Sequence, residues 1–151
     1  AIVIFMVAAA MVGAWVITIA NVPAALGELL GPIQDQPLLL LAIIMLIVFL
    51  LGMIMDTGPI ILILVPVVLP MLVSVGVDPI YFGIILVLNA SIGLITPPVG
   101  SVLNVAISVS KLRMGELVKG IWPFILTYVI ILIILMLFPD LILIPTEWLM
   151  K

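Results

Sequence analysis

Asn89 to Gly100, NASIGLITPPVG, constrains this chain more than any other stretch. It lies in a tract built almost entirely of Ile, Leu and Val. Yet it holds Pro97 and Pro98 in tandem after Thr96, with Ser91 and Gly93 before them and Gly100 and Ser101 after. A proline has no backbone N–H to donate, and its ring clashes with the preceding turn. The residue before it is pushed away from helical geometry. A helix entering this stretch therefore ends near Thr96, and a second half-helix begins at about Val99. In lipid, a broken helix is tolerated only where protein or a watery cavity satisfies the freed backbone groups. The break reads as the wall of a binding site.

Composition places that break in a membrane. Of 151 residues, 68% are hydrophobic and 7% are charged, and the mean hydropathy is +1.69. A soluble domain carries roughly 25% charged residues. So few charges cannot cover a water-facing surface, and the expected fold class is all-α, a polytopic membrane protein. The net charge is −3, and no basic patch suits nucleic acid. The chain has no Cys and no His, which removes thiol chemistry, the usual zinc sites and every His-based triad. Ala1 opens directly into AIVIFMVAAAMVGAWVITIA without a Met or a basic leader. A run of about 20 residues is the length of a full span, so the chain reads as a fragment or as one part of a larger polypeptide.

Four segments follow. Residues 1–36 form a span and a connecting arm. In the arm, Leu26, Leu29, Leu30 and Ile33 keep helical spacing around Pro23, Glu28, Pro32 and Asp35, which fits either a short surface helix or a plain loop. Residues 37–76 hold a helix from Pro37 to Met55 and another from Pro59 to about Val75, the second kinked or shortened by Pro66 and Pro70. Residues 77–110 open with Asp78 as a cap, run from Pro79 to about Ile95, break, and resume to Ser110. Residues 111–151 comprise the loop Lys111 to Lys119, a last span from Gly120 to Phe138, and an interfacial tail in which Trp148 suits the headgroup level. Lys111, Arg113 and Lys119 are three of the four basic residues. They set that loop in the cytoplasm, and the loops around Glu28, Asp35 and Asp78 on the other side. Residues 37–75 are then either two full spans or a re-entrant hairpin whose tip, near Asp56, lies inside the membrane.

Tip and break offer complementary chemistry. Helix N-termini favour an anion such as a carboxylate; unwound carbonyls suit a hard cation such as Na⁺. At the break, the carbonyls of Gly93 to Ile95 lose donors to the prolines, and the N–H groups of Val99, Gly100 and Ser101 start a new half-helix. Thr96 and Ser91 add hydroxyls and Asn89 an amide. This set fits Na⁺ near Gly93, Ile95 and Thr96 beside a polar substrate, and fits a transition metal poorly. Asp56 is an intramembrane carboxylate with a functional reading, or else a cap for the helix that begins beside it. A plainer account makes the prolines kinks and the small residues helix contacts.

The run GMIMDTGPIILILVPVVLPMLVSVGVDPIYFGIILVLNASIGLITPPVG resembles the second repeat of the large membrane subunit of tripartite ATP-independent periplasmic (TRAP) transporters. The likeness is best over residues 37–138, and the first 36 match mainly in character. The resemblance implies one inverted repeat of an elevator-type secondary transporter with a re-entrant hairpin, its tip at Gly52 to Pro59, and a broken transmembrane helix. It implies Na⁺-coupled uptake of an organic acid delivered by a periplasmic binding protein in the bacterial inner membrane. The implied partners are a small membrane subunit and the other half of the large subunit; Na⁺ is the coupling ion, and no cofactor is implied. The implied ion and substrate residues are Gly52, Asp56, Thr57, Gly58, Asn89, Ser91, Gly93, Thr96, Pro97, Pro98 and Gly100. A different Na⁺-coupled anion transporter of similar plan, or an assembly subunit, is the alternative. An intramembrane aspartyl protease needs two carboxylates in one site, and only Asp56 is available, so no enzyme is expected.

Overall fold

The computed structural model describes residues 36–97 and 100–149, together with positions 4, 8, 11, 12, 15, 16, 19 and 20. The positions among the first nineteen are helical. The connecting arm, Pro98 and Val99 lie outside the described residues. Every regular element among the described residues is helical: α1 Pro37–Gly52, α2 Thr57–Ser74, α3 Pro79–Leu94, α4 Ser101–Ser110, α5 Met114–Leu137 and α6 Asp140–Leu149.

Local chemistry sets these boundaries. α1 and α3 each begin on a proline, where the missing N–H costs nothing and φ is already helical. The Asp78 carboxylate accepts from the N–H groups of Ile80 at 2.8 Å and Tyr81 at 3.0 Å, which caps α3. α2 runs through Pro66 and Pro70 without interruption; both prolines lie on its exposed side, four residues apart. α5 begins earlier than its charges suggest. The stretch expected as a loop to Lys119 is helical from Met114, because the Glu116 carboxylate accepts from the Arg113 N–H at 3.1 Å and satisfies a donor at the first turn.

α2 and α5 are long and apolar enough to cross a membrane, with mean hydropathies of 2.3 and 2.6. α1 and α3 have 16 residues each. At about 1.5 Å per residue they are roughly 24 Å long, short of the ~30 Å hydrocarbon core.

α3 is the hub. It packs against α1 most extensively, then against α2 and α5, and it also touches α4 and α6. The core is Leu40, Ile44 and Val48 of α1, Leu72 of α2, and Phe82, Ile85 and Leu86 of α3, all buried. Lipid tails are as apolar as these side chains, so close packing and buried hydrogen bonds hold helices together there rather than exclusion of water. The Tyr81 hydroxyl lies 2.9 Å from the Met136 carbonyl and 3.3 Å from that of Leu135. The start of α3 and the end of α5 are thus at one end of the molecule.

Candidate functional site

α1 ends at Gly52, and the turn Met53 to Met55 leads through extended Asp56 into α2 at Thr57. α3 ends at Leu94 and α4 begins at Ser101. These two interruptions touch each other. A methyl carbon added to Gly93 would lie 2.7 Å from both Cα and the carbonyl carbon of Gly52. Added to Gly52, it would lie 3.0 Å from the Ala90 carbonyl oxygen. Backbone therefore rests on backbone, and no side chain fits between. The Gly100 N–H crosses the junction and donates to the Met53 carbonyl at 3.1 Å.

Gly100 has φ +42, a region that side chains other than glycine's disfavour. A methyl there would also meet the Leu94 carbonyl oxygen at 2.8 Å. That carbonyl has a special status by covalent structure alone. Its helical donors would be the N–H groups three and four residues on, and these are Pro97 and Pro98. Gly93 is different: its carbonyl accepts from the Thr96 N–H at 2.9 Å. The Thr96 side chain is buried, and its hydroxyl donates to the Ile92 carbonyl at 2.6 Å. With the proton committed there, the hydroxyl oxygen keeps its lone pairs for another group.

The Thr57 hydroxyl oxygen is buried and has no hydrogen-bond partner, the one such side-chain atom among the described residues. A buried polar atom left unpaired costs about 1–3 kcal/mol, and positions of this kind call for an explanation such as an ion or a ligand. Thr57 sits at the N-terminus of α2, where unpaired N–H groups add partial positive charge. Asp56 adjoins it, exposed, and its carboxylate makes no cap bond to α2. Gly58 is exposed, with open space where a methyl would go.

The DctM component of the tripartite ATP-independent periplasmic transporters matches residues 1–141. The chain belongs to that family. It is 46% identical over 147 residues to the 2,3-diketo-L-gulonate TRAP transporter large permease protein YiaN of Escherichia coli, covering 97% of this chain and 35% of the relative. A putative TRAP transporter large permease protein of Haemophilus influenzae is 48% identical over 148 residues, 98% of this chain and 35% of the relative. The C4-dicarboxylate TRAP transporter large permease protein DctM of Pseudomonas aeruginosa is 34% identical over 145 residues, 96% of this chain and 34% of the relative. The chain spans about a third of the length of the curated relatives it matches.

Within this TRAP permease segment, Asp56, Thr57 and Gly58 lie at the turn into α2, and the other described residues singled out in the sequence divide into two groups. Gly52, Gly93 and Gly100 meet at the junction, with Thr96 and Pro97 in the segment that leads from α3 to it. Asn89 and Ser91 are directed elsewhere. The Asn89 amide, 1% exposed, donates to the Met45 carbonyl at 2.5 Å and ties α3 to α1. The Ser91 hydroxyl donates to the Val87 carbonyl at 2.7 Å and lines a cavity of about 340 Å³ between α3 and α5 with Ile95 and Tyr128. Pro98 lies outside the described residues. The sequence singles out the carbonyls of Gly93 to Ile95 together, and among these only Leu94 is denied both donors; the Met53 carbonyl, which holds Gly100, is not singled out. Met53 has no side-chain signal for such a role. Leu94 had one, in the tandem prolines three and four positions later.

Proposed function

We propose that this chain is one repeat of a TRAP transporter large permease, in which inward movement of Na⁺ drives uptake of an organic acid presented by a periplasmic binding protein. The observation that carries this reading is the contact between the tip after Gly52 and the segment after Leu94, closed by the Gly100-to-Met53 hydrogen bond. It brings two chain interruptions into one place in a membrane protein, where freed backbone groups persist only with a partner. The Leu94 carbonyl and the Thr96 hydroxyl offer a hard, oxygen-only ligand set for Na⁺. The N-termini of α2 and α4 offer positive partial charge for a carboxylate. The names of two relatives point the same way: one is a permease for 2,3-diketo-L-gulonate and another for C4-dicarboxylates.

In this mechanism Na⁺ orders the stretch between Leu94 and Gly100, and the acid then binds a segment whose ordering is already complete. Each ligand strengthens the other by the same factor. The tip of α1 and α2 is re-entrant, the segment moves as part of an elevator, and the other half of the large subunit, a small membrane subunit and the binding protein complete the machine in the bacterial inner membrane.

The test is Na⁺-dependent uptake of a binding-protein-delivered acid by the intact transporter in proteoliposomes. Thr96→Ala raises the Na⁺ concentration needed for half-maximal uptake; an unchanged Na⁺ dependence counts against this ion site. A Thr57→Cys variant is labelled by a membrane-impermeant thiol reagent from the periplasmic side or only in an occluded state. Labelling from the cytoplasm alone gives residues 37–75 two full spans instead.

A further inference from the structure

The ten described residues of α6, Asp140–Leu149, extend about 15 Å, half the hydrocarbon thickness. It lies at the end of the molecule where α5 finishes and α3 begins, opposite Lys111, Arg113 and Lys119. One side of it faces protein: Ile142 is buried in the core and Leu143 packs against that core. The Thr146 hydroxyl lies 3.0 Å from the Ile142 carbonyl and 2.8 Å from that of Leu143, so this polar group is satisfied within the helix. On the other side, Leu141, Ile144 and Trp148, spaced three and four apart, form one stripe and are 54%, 66% and 84% exposed. Asp140 and Glu147 are seven apart and share a flank between the two sides.

A helix whose outward stripe is Leu, Ile and Trp, with its acids confined to one edge, is arranged for a boundary between apolar and aqueous phases. The same apolar surface continues from α5 through exposed Leu137 and Phe138, and α5 is one of the two helices fit to cross the bilayer. We infer that α6 lies in the plane of the periplasmic membrane surface, with Leu141, Ile144 and Trp148 immersed in lipid and Asp140 and Glu147 turned to water. There it fixes the depth at which α5 leaves the bilayer, and through the Tyr81 bond to the end of α5 it also sets the depth of the start of α3. The arrangement goes beyond the transport reading and does not depend on Na⁺ coupling. Only Asp140 and Leu141 of this helix fall within the family match, which ends at residue 141.

The experiment is a spin-label scan in the intact large permease, freed of other cysteines and reconstituted in phosphatidylethanolamine–phosphatidylglycerol vesicles. Labels are placed at Leu141→Cys, Ile144→Cys, Glu147→Cys and Trp148→Cys, all exposed positions where substitution leaves the core intact. The expected result is that dissolved oxygen relaxes the labels at 141, 144 and 148 several-fold more than a water-soluble nickel chelate does, with the order reversed at 147. Nickel access at all four positions places α6 in water, and exclusion of both relaxants at 144 and 148 places another protein surface over the stripe. Either result overturns the inference. Fluorescence is an independent check. Lipids brominated on the acyl chain quench the emission that wild type has in excess of Trp148→Phe; an unquenched difference signal also overturns it.

Discussion

At its N-terminal end, α3 is closed. Pro79 has no N–H to satisfy, the Asp78 carboxylate takes the N–H groups of Ile80 and Tyr81, and the Tyr81 hydroxyl reaches the last carbonyls of α5. Side chains do all of this, over short sequence distances or against a neighbouring helix. At its C-terminal end, the same helix stops with the Leu94 carbonyl denied its helical donors, and among the described residues a long-range backbone bond from Gly100 to Met53 holds the chain. There the parts are glycines, main-chain groups and the Thr96 hydroxyl. One end is finished as a structural joint. The other leaves the Leu94 carbonyl without its helical donors, and in the proposed function that is the end that takes a ligand.

The contrast can be broken by substitutions at each end, read by thermal unfolding in detergent and by Na⁺-dependent uptake in vesicles. Gly93→Val has the largest expected effect. Its side chain would enter space occupied by the Gly52 backbone, which cannot rotate aside, so overpacking costs about 3 kcal/mol or more and uptake is abolished. Normal stability and uptake in this variant would mean that tip and break do not touch. Gly100→Ala comes next. Its φ and its 2.8 Å approach to the Leu94 oxygen impose roughly 1–2 kcal/mol of backbone strain, and Na⁺ half-activation moves with it.

The closed end should respond in stability alone. Asp78→Ala removes a cap and lowers stability by about 1 kcal/mol, with Na⁺ half-activation unchanged. Tyr81→Phe is the smallest change, since a hydrogen bond between membrane helices contributes on the order of 0.6 kcal/mol. A shift of Na⁺ dependence in either variant would erase the distinction between the two ends.

How much of this was legible in the sequence follows from the range of each signal. Pro37 and Pro79 mark the first residues of α1 and α3, and Asp78 caps α3, because these are properties of neighbouring residues. The charged run from Lys111 to Lys119 read as a loop, yet α5 starts within it, since a single carboxylate at Glu116 outweighs the run's polarity. Pro66 and Pro70 suggest a kinked or shortened helix; α2 is not shortened and runs through both. Asn89, polar in an apolar tract, reads as part of the site's inventory; its amide N–H donates to a carbonyl on α1, a partner that no local pattern reveals. Met53 is the limiting case: its role belongs to its carbonyl, which every residue has.

The Gly100-to-Met53 bond also carries a consequence for biosynthesis. The tip of α1 and α2 emerges from the ribosome well before Gly93 and Gly100 exist to receive it. Until α3 has been made and its end turned back, the bare backbone at Gly52 and Met53 has no seat in a hydrocarbon phase. In the re-entrant reading proposed above, the seat for the tip therefore forms only once the end of α3 and Gly100 have been made, out of order with the tip's position in the chain.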